Sequence, residues 1–108
     1  MPALKEPFEI FDIGDGETVD ITVIDVVRGD EVEMTREDGT KFRIAPLRLY
    51  LEKPIWEGRF AYIDITSKRL RPTLEPLLGG IPPGKKKLRI TKRGVAPRAV
   101  FSVETLPL

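Results

Sequence analysis

The ten residues Thr18-Val19-Asp20-Ile21-Thr22-Val23-Ile24-Asp25-Val26-Val27 constrain this chain more than any other stretch, because eight of them are β-branched. Such side chains lose rotamer freedom in a helix and pack well on a pleated surface. The run reads as a strand, long enough to bend around a barrel. Tight-turn residues bracket it, Gly14-Asp15-Gly16 before and Gly29-Asp30 after.

Short alternating runs between glycine and proline breaks fill the rest of the chain. Residues 31–36 put Val32 and Met34 on one face, Glu37-Asp38-Gly39 makes a hairpin turn, and residues 40–44 return with Phe42 and Ile44 opposite Lys41 and Arg43. Ahead of the long strand, the alternation in residues 8–13 predicts a first strand. Residues 46–53 read as a helical turn, with Pro46 at its first position and Pro54 as its stop. Residues 59–66 predict a strand in which Ala61, Ile63 and Ile65 share one face and Phe60, Tyr62, Asp64 and Thr66 the other. A short helix over residues 72–78 is weakened by Pro76, and residues 79–84 form a flexible glycine-proline loop. In Lys85-Lys86-Lys87-Leu88-Arg89-Ile90-Thr91-Lys92-Arg93-Gly94, six residues are basic, and Leu88 and Ile90 alternate with Lys87, Arg89 and Thr91. That spacing predicts a strand with one face on a core and one face cationic. A turn over residues 94–97 and a strand over 99–104 complete the chain.

About seven strands with little helix, in a single domain of 108 residues, predict an all-β fold. The expected form is a small antiparallel β-barrel with an extra N-terminal strand and a C-terminal β-hairpin, since closure removes exposed edges.

Composition narrows the function. Cysteine and histidine are absent, which removes the thiol nucleophile, the disulfide and the commonest general base and transition-metal ligand. Neither a phosphate-binding Gly-x-x-x-x-Gly-Lys-Ser/Thr loop nor a nucleophile elbow around Ser67 or Ser102 occurs, so a non-catalytic role is expected. Hydrolysis by a pair of carboxylates stays open, because any two acids can meet in space. Asp12, Asp15, Glu17, Asp20 and Asp25 lack the remaining positions of a calcium loop, and neither metal nor cofactor is expected. Asn and Gln are missing too; with ten prolines and abundant Lys, Arg and Glu, this fits a thermophile source. No apolar run approaches the roughly 18–20 residues of a membrane span, and Met1-Pro2-Ala3-Leu4-Lys5-Glu6 lacks the apolar core of a signal peptide. A cytoplasmic protein with no membrane partner is the expectation.

The net charge of +1 conceals a polarity. Residues 1–40 carry three basic and twelve acidic side chains, and residues 41–108 fifteen basic and five acidic. If the fold keeps these apart, the basic side takes an anionic partner and the acidic side orients it.

The long strand at 19–27, the strand at 31–36, the Arg36-Glu37-Asp38-Gly39-Thr40-Lys41-Phe42 turn and the glycine-led Trp56-Glu57-Gly58-Arg59-Phe60-Ala61-Tyr62-Ile63 segment together resemble the core of OB-fold nucleic-acid-binding proteins. The resemblance spans about residues 18–66. It implies single-stranded DNA or RNA as partner, held in a cationic groove with aromatic stacking platforms. If Ala61, Ile63 and Ile65 face the core, Phe60 and Tyr62 face outward beside Lys68, with Lys41, Arg43 and Trp56 near; the opposite register makes both rings core residues. Lys85, Lys86, Lys87, Arg89, Lys92 and Arg93 would clamp phosphates, with Arg69, Arg71 and Arg98 at the rim. The alternative is an accessory subunit or interaction module of a larger nucleic-acid-processing assembly, polymerase or ribosome-associated. There the basic strand and tail would dock onto an acidic protein or structured RNA, and the acidic N-terminal face or the C-terminal hairpin is a further surface for a protein partner. Leftover edge strands there would permit a homodimer.

Overall fold

A computed structural model describes residues 7–58, 60–95 and 98–108. Seven strands, β1 (Thr18–Arg28), β2 (Val32–Thr35), β3 (Lys41–Ile44), β4 (Leu47–Leu51), β5 (Tyr62–Ile65), β6 (Lys86–Arg93) and β7 (Val100–Leu106), accompany one short helix, α1 (Leu70–Leu74), and a 3-10 turn at Glu75–Leu78. All strand pairings are antiparallel, so the all-β class holds. Among the described residues, no helix is long and apolar enough to cross a membrane.

The β-branched run is the centre of the architecture. β1 lies in the middle of a five-stranded sheet of order β5-β4-β1-β6-β7. Its first half pairs with β6 and its second half with β4, and the pairing shifts between Val23 and Asp25. Ile24 is the extra residue of that bulge and is 40% exposed. The bulge resets the alternation, so Val19, Ile21 and Val23 face the core before it and Val26 after it. On β6, Leu88 and Ile90 are fully buried, as their spacing predicts.

The sheet stays open. β2 and β3 form a separate two-stranded ribbon, and no ladder joins β5 to β7 among the described residues. The core face is covered instead by Leu70, Leu74 and Leu78 from the helical segment and by Phe11 and Trp56, which removes the need for the sheet to wrap on itself. The helical segment starts two residues earlier than its sequence suggests: Ser67 Oγ accepts from the backbone N–H of Arg69 and Leu70, and Pro72 falls in the first turn, where its missing N–H costs little. Residues 79–84 make a turn closed by Gly84 N–H donating to Gly80 O at 3.1 Å.

Two elements differ from expectation. Residues 46–53 are not a helical turn but the strand β4, flanked by β1 and β5. Leu47, Leu49 and Leu51 alternate with period two and are essentially inaccessible, and cross-strand pairing outweighs the helix-start and helix-stop signals of the two prolines. Residues 8–13 are not a full strand. They make a single parallel bridge, in which Asp64 N–H donates to Glu9 O at 2.7 Å and Phe11 N–H to Asp64 O at 2.9 Å. The alternation itself holds, since Glu9, Phe11 and Ile13 are buried. The strand expected from residue 59 is confined to β5, and Ala61 is exposed rather than part of the apolar row. Arg59, Ala96 and Pro97 of the expected elements, and the Met1–Glu6 stretch read for targeting, lie outside the described residues.

Candidate nucleic-acid interface

Alternation on β6 sends Lys87, Arg89, Thr91 and Arg93 to the face opposite the core. Their neighbours on β1 come from the acidic third of the chain, which mixes the two charge blocks. Arg89 lies opposite Asp20 and donates to it twice, Nε to Oδ1 at 2.8 Å and Nη2 to Oδ2 at 3.1 Å. Those hydrogen bonds, with the Arg89 and Lys87 charges, hold the Asp20 carboxyl below its ordinary range. Lys85 pairs with Glu52 at 3.0 Å and Lys92 with Asp12 at 3.1 Å. Lys87 shares a polar cleft with Asp20 and Glu52. Half of the expected phosphate clamp, Lys85, Arg89 and Lys92, is thus paired within the molecule.

The β2–β3 ribbon behaves the same way. Lys41 pairs with Glu33 at 3.6 Å and Arg43 with Glu31 at 3.0 Å. The ribbon does not pair with β5, so these cations are not carried on a strand adjacent to Phe60 and Tyr62.

The aromatic row has the register that turns it away from the core, with Ile63 and Ile65 fully buried behind it. It does not form an open platform. Phe60 and Tyr62 are half-buried and stack on each other at 5.3 Å, and Tyr50 meets Tyr62 edge-on at 5.9 Å. The Arg48 guanidinium sits 4.1 Å from the Tyr62 ring centroid, and the Tyr62 hydroxyl donates to Pro7 O. One ring face and the polar tip of Tyr62 are therefore occupied. Trp56 is half-buried, packs on the core and stacks on Phe11 at 6.0 Å, so it is a packing residue rather than an exposed platform. Arg71 is turned inward to Glu75 at 2.9 Å and to Ala45 O, away from the rim.

Among the described residues, six of the expected site cations make no ion pair: Lys68, Arg69, Lys86, Lys87, Arg93 and Arg98. One of them, Arg69, lies at the end of the sheet where the helical segment meets the last strand. There, α1 packs against β7 and leaves a groove of about 330 Å³. Ser67 and Arg69 line one wall, Lys92, Ala99 and Phe101 another, and Ile10 to Asp12 the floor. Lys68, Arg93 and Arg98 adjoin these lining residues in the chain, with Arg93 on the opposite face of β6 from Lys92. The acids nearby are engaged, Asp12 with Lys92 and Asp15 through Oδ1 with Gly94 N–H at 2.7 Å. Gly94 needs its glycine, because φ is +83°. Phe101, which lies opposite Lys92 in the β6–β7 register, lines this groove with Phe11, and sequence reasoning placed neither ring in the site. Only the pairing of the last hairpin could have identified Phe101.

The carboxylates of residues 12–25 are dispersed over these contacts, and no group of three or more metal-ligating side chains occurs among the described residues. No protein-family model, curated protein or solved structure matches the chain.

Proposed function

We propose that the protein is a non-catalytic nucleic-acid-binding protein that holds the phosphate backbone of single-stranded DNA or RNA at the end of the sheet where α1 meets β7. One observation carries this reading: of the six unpaired site cations, Arg69 lines a groove that already holds Lys92 and Phe101, and Lys68, Arg93 and Arg98 are chain neighbours of its lining residues. Phosphate charge supplies affinity and is independent of base sequence. Phe101 offers a ring for stacking, whereas Phe60 and Tyr62 contribute less than their outward register suggests.

The test is fluorescence anisotropy of a labelled oligonucleotide over a range of salt. Four neutralised phosphates give a log–log slope of roughly −3 for a single strand. Reversing Lys68, Arg69, Arg93 and Arg98 to Glu lowers affinity for every sequence alike and flattens the slope, while Lys85→Ala and Arg89→Ala change little because both cations are already paired. Salt-insensitive binding, or an unchanged slope in the fourfold variant, refutes the assignment. A second reading, a docking module of a larger assembly, is favoured by the unpaired outer edge of β7.

A further inference from the structure

The two outer strands of the sheet are treated differently. β5 has its outer edge laced by the Glu9–Phe11 backbone and backed by a buried ion pair. β7 pairs with β6 along seven residues, and among the described residues no other backbone group bonds to it. An unpaired strand edge is a template for another strand unless Lys, Pro or a bulge blunts it. Val100-Phe101-Ser102-Val103-Glu104-Thr105-Leu106 contains no cation, proline or glycine, and its pairing with β6 runs without a bulge.

We propose that two copies of the chain pair through β7, antiparallel and with the two-fold axis at Val103, so that two five-stranded sheets become one continuous sheet. The strand is complementary to itself in that register. On the face carrying Arg89, Val100 of one copy lies opposite Leu106 of the second, and Ser102 opposite Glu104. On the core side, Phe101 lies opposite Thr105 and Val103 opposite its own counterpart. Glu104 is the sole charge of the strand and never meets its copy, which removes the like-charge penalty of a directly opposed pair. Val100 is 57% exposed, and the pairing covers it with Leu106. Arg89 neutralises part of the Glu104 field from within each copy, since the two residues are register partners. A second copy is favoured over a foreign strand because apolar meets apolar and the charge meets a hydroxyl with no further sequence required. The proposal shares Phe101 with the nucleic-acid reading but uses none of its cations, Lys68, Arg69, Arg93 or Arg98, and its test reads association without nucleic acid.

Sedimentation equilibrium of the full chain, from micromolar to near-millimolar concentration, tests it through one exposed position changed in two directions. Ser102→Lys sets a cation against Glu104 of the second copy twice per dimer and tightens association; Ser102→Glu sets two carboxylates together and weakens it. Each shift is about three- to tenfold in the dimer dissociation constant. Ser102 is exposed and opposes Thr91, so both variants fold, which far-UV circular dichroism verifies. A monomer at all concentrations, including with Ser102→Lys, overturns the proposal. Equal weakening by both variants overturns the register, since it places Ser102 opposite itself, and a monomer that instead takes up an unrelated extended peptide overturns self-pairing.

Discussion

Two arginine–aspartate pairs lie on the same face of the sheet with almost the same geometry. Arg48 reaches Asp64 at 2.7 and 3.0 Å, and Arg89 reaches Asp20 at 2.8 and 3.1 Å. Both are bidentate and both join directly opposed residues on neighbouring strands. Their surroundings differ completely. The Arg48 and Asp64 side chains are 1% and 0% exposed, beneath Tyr62 and Phe8, whereas those of Arg89 and Asp20 are 44% and 39% exposed. For Arg48, burial works against the charge and the Asp64 carboxylate outweighs it, leaving the guanidinium above its ordinary value. The lesson is that identical hydrogen bonds do different work: the buried pair joins the N-terminal segment to the sheet, and the exposed pair mainly cancels field that would otherwise recruit an anion.

The largest expected effect comes from breaking the buried pair. Asp64→Ala leaves Arg48 charged without its carboxylate and Glu9 N–H without its acceptor, Asp64 Oδ2 at 2.7 Å. Removing one member of a buried pair costs about 3–5 kcal/mol. Urea unfolding of wild type and variant measures it. If the loss is below about 1 kcal/mol, the pair behaves as a surface salt bridge and the contrast with Arg89–Asp20 fails.

A smaller effect comes from weakening the lacing while keeping the Arg48–Asp64 pair. Glu9→Pro removes the N–H that Asp64 Oδ2 accepts while leaving Arg48–Asp64 in place, and Glu9 O still accepts from Asp64 N–H. The expected cost is about 1–3 kcal/mol, the penalty of a buried acceptor losing one donor. Limited proteolysis near residues 7–11 accelerates, with a smaller change in the global unfolding midpoint than Asp64→Ala produces. Equal changes in both measurements would show that the segment and the sheet unfold as one unit.

The same contrast marks where sequence reasoning reached. Period-two patterns and turn residues are local, so the β1 run, the Asp38-Gly39 hairpin and the inward pair Leu88 and Ile90 were legible. The Leu47-Arg48-Leu49-Tyr50-Leu51 alternation was equally local but was masked by Pro46 and Pro54. Strand order was not legible, because nothing in the chain states that β1 lies between β4 and β6. That single non-local fact decides the charge pattern. It sets the acidic β1 against the basic β6, pairs Arg89, and leaves as candidate phosphate contacts residues first placed at the rim or beside the aromatic row, Lys68, Arg69 and Arg98, together with Arg93. Arg48 and Asp64 were each simply the polar member of an alternating run, and sixteen residues of separation gave no sign that they meet.

The smallest expected effect concerns the exposed pair and has a defined pH dependence. Arg89 holds Asp20 below its ordinary value of 3.8, so the ionised form is favoured in the folded state. Stability from this pair is fully present above the unfolded value and is lost as pH falls through the lowered folded value. Asp20→Asn removes that contribution at neutral pH, so the variant is slightly less stable there and converges with wild type in acid. Because both partners are exposed, added salt narrows the gap at neutral pH as well. The variant also frees Arg89 on the β6 face, so in the oligonucleotide titration it binds more tightly than wild type and steepens the salt slope by up to about 0.7 for one added single-strand phosphate. Thermal unfolding from pH 2 to 7 and the salt titration, run on the same preparation, read both. A slope that stays unchanged while stability drops would mean that the β6 face lies outside the path of the strand, and would confine the contact surface to the groove beside α1.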